Sequence, residues 1–393
     1  MLFLASTVFS RELFNFSAAG LLLLSIFFYD KNKVRVCIIK NRFFLIPLLL
    51  IFLSSLISFL VNFSFVQQGF NLNKIDLSSK FLLLIPIIFL FDQFKFDFNV
   101  VSLGFALGAI GAGVMAIEQV FFEHRTLAIG SAGHHIVFGA VSSLLGLASL
   151  FICFSSNAYG KIIGTIGFLF AFMAVILSSS RGAWFGMSLL LIIFLVHSFY
   201  RSRAVFYTLI AVVLISGATV FSHSSIRGQV FDRVLQAKSD VLSYKGEKDV
   251  VTSLSQRILM WKLAIRIFLD HPIVGAGPRS FRQQHKLYAE SGMMKPLDGN
   301  YAHAHSDLLN IAAAQGALGL AAFAYFFWGL FKRYYNVLKT GNQINKDWAF
   351  MGLTLLIGLV LFGLTESMMD RSFVVVFFVI TQQLIISQMN FRL

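Results

Sequence analysis

The chain is 393 residues long, 57% hydrophobic and only 13% charged, with a mean hydropathy of +0.78. These values exclude a soluble domain and describe a polytopic membrane protein. The formal charge of +14 does not signal nucleic-acid binding, because the basic residues are strewn through short loops instead of gathered on one face or motif.

A membrane-crossing helix needs about 20 apolar residues, a rule that predicts eleven spans, at 13–29, 43–63, 78–92, 100–121, 136–155, 161–178, 183–199, 204–221, 314–331, 348–367 and 372–389. The residues ahead of Arg11 are a candidate partial helix. They carry no small-residue cleavage site and are not expected to be a removable signal. The third span is short and holds Pro86. In the fourth, Gly104, Gly108 and Gly111 recur at helical spacing, which predicts close helix packing. Cys37 and Cys153 stand in a basic loop and an apolar run, with no disulfide framework and no metal-ligand spacing. The expected organisation is an N-terminal bundle over 1–221, a large loop with amphipathic helices over 222–313, and C-terminal membrane helices over 314–393.

Basic residues in short loops resist translocation. Alternating spans put Lys31, Lys33, Arg35, Lys40, Arg42, Arg201, Arg203, Lys332, Arg333, Lys339 and Lys346 on one side, the cytoplasmic one. Segment 222–313 then faces the periplasm of a Gram-negative cell, together with Arg125, His134, His135, Arg181 and Arg371. Arg181 stands in SSSRG, which joins two apolar runs with almost no loop. A guanidinium that close to hydrocarbon is costly, so it is expected to face a water-filled cavity or an anion. Glu366, Asp370 and Arg371 look like an ion-pair cluster.

Within 222–313, the run from Ser255 to Asp270 has a helical period that places Ile258, Trp261, Ile265 and Phe268 on one face, with Lys262 and Arg266 turned away. His271 and Pro272 stop it. Gly275, Ala276, Gly277 and Pro278 turn tightly and deliver Arg279; no strand precedes this Gly-x-Gly, so it is not a dinucleotide fingerprint. Then Tyr301-Ala-His-Ala-His-Ser-Asp brings His303, His305 and Asp307 to the start of a helix, with Ser306 as its N-cap and Gly316 as its end. Three readings of the histidines stand open: metal ligands, loop-end groups bonded to backbone, or a general base for a hydroxyl nucleophile. A helix N-terminus favours phosphate or carboxylate. Several arginines facing one cavity call for a substrate with at least two negative charges, and a lipid-linked diphosphate meets that need.

SSSRG at a span end, the block from Arg257 through HPIVGAGPRSF, and YAHAHSDLLNIAAAQGALGL leading into the next span resemble the O-antigen ligase and O-antigen polymerase superfamily, over roughly residues 160–330. The resemblance implies a GT-C-like, all-α polytopic protein with about eleven (10–12) membrane helices and one large structured periplasmic loop. It also implies a metal-independent inverting glycosyltransferase of the bacterial inner membrane, without a cofactor, acting on undecaprenyl-diphosphate-linked glycan. By that likeness Arg181 and Arg257 bind the diphosphate, and His305 orients or deprotonates the acceptor. His303 and Arg279 give close support, and Arg125 and Asp307 complete the substrate contacts. The superfamily often has Asn or Glu after the second histidine, where this chain has Ser306 and Asp307. A single dominant loop favours a ligase acting on lipid A-core over a polymerase joining carrier-linked repeats. A flippase for the same lipids would show paired halves, and none stands out.

Overall fold

The computed structural model describes residues 1–28, 30–65, 72–154, 158–222, 224–245 and 252–390. The helices, in chain order, are α1 (Leu2–Ser6), α2 (Arg11–Phe27), α3 (Lys31–Phe65), α4 (Asp76–Leu83), α5 (Ile85–Phe91), α6 (Phe98–Ile117), α7 (His135–Ser149), α8 (Ala158–Leu177), α9 (Arg181–Arg201) and α10 (Arg203–Ser222). They continue with α11 (Ser224–Lys245), α12 (Ser253–Asp270), α13 (Phe281–Glu290), α14 (Asp307–Thr340), α15 (Gln343–Gly363) and α16 (Ser372–Asn390). Among the described residues there is no strand. The molecule is an all-α polytopic membrane protein. Among the described residues eight helices are long and apolar enough to cross a bilayer: α3, α6, α7, α8, α9, α14, α15 and α16. The other predicted spans fall on α2, on the α4–α5 pair and on α10.

The first expectation to change lies at the start of α3. Residues 31–42, read as a loop, are the first turns of α3. Lysine and arginine are good helix formers, and Pro47 is the one strong breaker inside the helix. Around Pro86, α4 and α5 separate at Leu84, and the Leu84 carbonyl accepts from the buried Gln383 of α16 at 2.9 Å. A polar side chain deep in the bundle thus satisfies a backbone group that the break exposes.

The glycine stripe of α6 is a packing surface. A methyl on Gly108 would lie 2.4 Å from the Leu4 carbonyl oxygen, and one on Gly111 would press on Phe9. The partial helix expected before Arg11 is α1, and this is the groove that receives it.

Helix α14 breaks where the sequence predicts, at Gly316 (φ 63, ψ −155). The opened turn is filled by the HPIVGAG segment. Ala276 and Gly277 donate to the carbonyls of Ala313 and Ala314, while Ala317 and Leu318 donate to those of Pro272 and Ile273. From α3, Ser58 donates to the Ala314 carbonyl at 2.7 Å and Asn62 to that of Gly275 at 3.0 Å. Every backbone group freed by the break needs a partner at this depth, so the extramembrane loop is bolted to the bundle by main chain.

Helix α12 starts with a capping box between Thr252 and Ser255 and ends at His271, as expected. Its packed face is different. Gln256, Met260, Leu263, Ala264 and Ile267 are buried, against Ala276, Phe281, Tyr288, Leu297, Ala304 and Ala313. The predicted face of Ile258, Trp261, Ile265 and Phe268 is only partly covered, and Ile265 is exposed. Two apolar faces compete on this helix, and periodicity alone picked the one turned away from the small loop core. Together with Leu269 and Ile273, Ile265 makes an exposed apolar edge of the kind that rests on lipid.

Candidate active site

Three helices begin at the same end of the bundle. Helix α7 starts at His135 with His134 at its N-cap. Helix α9 starts at Arg181, with the Ser180 hydroxyl accepting from the Ala183 amide at 3.3 Å. Helix α14 starts at Asp307, with Ser306 in the N-cap position though its hydroxyl makes no cap bond. The buried SSS turn holds the first two together: the Ser178 carbonyl meets His135 Nδ1 at 3.0 Å. Three positive dipole ends in one place favour an anion.

At the centre is Glu366, fully buried in the turn after α15. Its Oε2 accepts from His305 Nδ1 at 2.8 Å. Oε1 lies 3.7 Å from His303 Nε2 and 3.8 Å from Arg371 Nη2. Burial alone would push this carboxyl up, but the His305 hydrogen bond and the neighbouring imidazoles outweigh it and bring it down to about 2. Glu366 is therefore an anion, and His305 carries its proton on Nδ1, which leaves Nε2 as the basic nitrogen.

His303 is different. Burial holds it down at about 4, against the pull of Glu366 and helped by His305 and Arg371, so it is neutral. Arg371 Nη2 donates to His303 Nε2 at 3.1 Å. The ligand atoms of His303, His305 and Glu366 lie within 4.8 Å of one another, as a metal site would need. The Arg371 guanidinium occupies the lone pair His303 would have to offer, and it brings a positive charge to that spot. The donor set fits a charge relay better than a cation.

The arginines approach from the other side. Arg257, in the first turns of α12, is half-buried. Burial pulls its guanidinium down, Glu366 raises it and Arg181 lowers it. It makes no hydrogen bond or ion pair with a described residue. Arg181 is half-exposed and held by Asp240 of α11, at 3.0 and 3.1 Å, and by the Ser253 hydroxyl at 2.6 Å. Arg181, Arg257, His303 and His305 therefore share one electrostatic neighbourhood around Glu366.

The remaining candidates are more distant from it. Arg279 (φ 56) donates to the Asn73 carbonyl at 2.8 Å and acts on Asp370, which burial raises to about 6 against Arg279 and Arg371. Asp307 is a latch: Oδ1 accepts from the Met369 amide at 2.8 Å, and a methyl on Gly363 would lie 2.4 Å from Oδ2. It ties α14 to the turn that carries Glu366. Arg125 pairs with Glu123 at 2.6 Å, half-exposed, and makes no contact with the cluster.

Sequence reading undervalued Glu366 and Arg371, taken as an ion-pair cluster, and did not notice Asp240. The usable signal was position: Glu366 is a carboxylate between two spans on the same face as Arg181. Asp240 carried no such mark.

Residues 166–324 match the family model described as O-antigen ligase. A Haemophilus influenzae protein carried as "Uncharacterized protein" is 25% identical over 362 residues, covering 91% of this chain and 87% of its own. The matched segment runs from α8 into α14 and holds Arg181, Arg257, Arg279, His303, His305 and Asp307. Over that segment the chain is similar to the O-antigen ligase family, and its long apolar helices make it a multi-pass membrane protein.

Proposed function

We propose that this protein is an O-antigen ligase, transferring glycan from an undecaprenyl diphosphate carrier to a sugar hydroxyl of lipid A-core at the periplasmic face of the inner membrane. The observation that carries this reading is the His305–Glu366 pair at 2.8 Å, with the unpaired guanidinium of Arg257 and the N-terminus of α9 close by. The acceptor hydroxyl gives its proton to His305 Nε2 as its oxygen bonds to the anomeric carbon. The bond from that carbon to the carrier's phosphate oxygen breaks on the opposite face, so configuration inverts. Glu366 stabilises the imidazolium that forms, and Arg181 and Arg257 take the charge of the departing diphosphate. His303 and Arg371 flank Glu366 at 3.7 and 3.8 Å and are positioning groups.

The orientation rests on the basic loops. Arg201 meets Asp347 at 3.2 Å and Arg333 lies over Phe43, which gathers the basic segments at the end opposite Glu366. Purified His305→Ala and Arg181→Ala proteins are expected to lose transfer of labelled glycan by about 10²–10⁴-fold while staying folded; transfer at the parental rate would overturn the assignment. Lipopolysaccharide from cells lacking the protein separates ligase from polymerase. Bare core beside polymerised carrier-linked glycan means ligase, and core bearing one repeat unit means polymerase.

A further inference from the structure

On the far side of the turn that carries Glu366, a groove opens between α4, the Pro278–Phe281 turn and α13. Its outer part is lined by Lys74, Arg279, Arg282, His285, Lys286 and Asn300. Its inner part shares Lys74 and Arg279 and runs on to Asp307, Asn310, Met369 and Asp370. Both parts are lined by Lys74 and Arg279, and the inner one reaches the segments that carry His305 and Glu366.

Four cations line the outer part: Lys74, Arg279, Arg282 and Lys286. The carboxylate among them, Glu290, is 3.7 Å from Lys286. Asp76 comes no nearer to Arg279 than 4.0 Å. His285 is not a further charge, since its Nε2 accepts from the Leu297 amide at 2.9 Å and burial lowers it. The inner part has an apolar wall of Ile51 from α3, Leu77 and Phe81 from α4, and Phe323 from α14. Spaced cations beside an apolar wall suit a ligand with several separated negative charges and a lipid anchor. A diphosphate instead needs converging donors, the role proposed for Arg181 and Arg257, neither of which lines this groove. Arg279 holds a left-handed backbone (φ 56) at the junction of the two parts. Such strain persists where the surroundings impose it and marks functional positions.

We propose that this groove binds the acceptor glycolipid through phosphate or carboxylate groups on its sugars, as a site separate from the arginines that take the donor diphosphate. The proposal rests on the glycan-transfer reading for the word acceptor; the recognition of an anionic glycolipid does not depend on it. Arg282 and Lys286 set the affinity for the acceptor's charge and do not touch the reacting atoms.

The test uses the full-length protein in nanodiscs, purified phosphorylated lipid A-core, and the same glycolipid after phosphatase treatment. Arg282→Glu/Lys286→Glu is expected to weaken binding of the phosphorylated form by about 10-fold or more at low salt. It should leave the dephosphorylated form and the KM for donor unchanged, and Arg282→Lys/Lys286→Arg should restore binding. Equal loss for both glycolipids, no loss at all, or a raised donor KM overturns the proposal. A parent protein that binds acceptor in this charge-dependent way yet forms no glycosidic bond supports the groove and removes the transfer reading.

Discussion

Arg201 and Arg181 stand at the two ends of α9, and each meets a carboxylate. At the basic end the pair is closed: Asp347 accepts from Arg201 Nε at 3.3 Å, from Nη2 at 3.2 Å and from Gln343 at 2.9 Å. At the other end the central carboxylate is left open. Glu366 Oε1, His303 Nδ1, Arg371 Nε and Ser367 Oγ are buried with no hydrogen-bond partner among the described residues. Buried polar groups are nearly always satisfied in a structural network, and a partly satisfied one is costly. The basic end has unpaired buried groups of its own, at His197, Asn345 and Trp348. The contrast therefore lies in the carboxylates themselves: both oxygens of Asp347 are bonded, whereas Glu366 keeps one in reserve.

The sharpest way to break this contrast is to neutralise the carboxylate at each end. Glu366→Gln keeps the size but removes the charge that orients His305 and stabilises its imidazolium. Its kcat is expected to fall by about 10²–10⁴-fold, with KM for donor little changed. Asp347→Asn should leave kcat near the parental value and cost about 1.5–3 kcal/mol of stability, read as a lower melting temperature in detergent. Similar kcat losses in both variants would mean that the open valences carry no functional meaning.

Next in size is the bolt between loop and bundle. Gly316 has φ 63, and a methyl there would lie 2.5 Å from the Ile273 backbone, so Gly316→Ala meets both strain and a clash with main chain. A cost of at least 1–3 kcal/mol is expected. The break is nine residues downstream of Asp307 on the helix whose start holds His305, so kcat should fall along with the melting temperature. Gly217→Ala has nothing within 4 Å and serves as the control. A Gly316→Ala protein with parental melting and parental kcat would show that the docked turn does not position the site.

The fold was largely legible because crossing a membrane imposes one rule, a long apolar helix, that composition reports directly. Arg181, Arg257 and His305 stood out as candidates because charge is conspicuous in an apolar chain; their roles came from the likeness to the ligase and polymerase superfamily and stand as a proposal. What stayed hidden is long-range pairing. His305 and Glu366 are 61 residues apart in sequence, and no local pattern tells a carboxylate that caps an ion pair from one that grips an imidazole. The packed face of α12 was misjudged because both of its candidate faces are apolar, and the choice between them lies in the partners Phe281, Tyr288 and Leu297.

A smaller effect follows from acid. His303 and His134 are each held at about 4, chiefly by burial, against an ordinary value of 6.5. An unfolded chain takes up these protons first, so stability is full above about pH 6.5 and is lost as pH falls toward 4. Glu366, at about 2 against 4.5, adds a second loss between pH 4.5 and 2. The double variant His134→Gln/His303→Gln should flatten the melting temperature between pH 6.5 and 4 and also narrow the lower window, because both imidazoles help hold Glu366 down. An unaltered slope would move the acid lability away from the open end.

The smallest expected effect concerns Arg181 itself. It occupies the first position of α9, where a cation opposes the helix dipole, and Asp240 with Ser253 offsets that cost through bonds of 3.0, 3.1 and 2.6 Å. Asp240 belongs to α11, a helix with exposed Phe231, Val234 and Leu235, and on the proposed reading it occupies the guanidinium that the diphosphate needs. A diphosphate arriving at Arg181 must therefore compete with this carboxylate. Asp240→Asn keeps the side-chain shape and weakens the competitor, so KM for donor should fall by about 3- to 10-fold with kcat unchanged. A rise in KM would mean that Asp240 aims the guanidinium instead of guarding it, and Arg181 would then be a closed pair like Arg201.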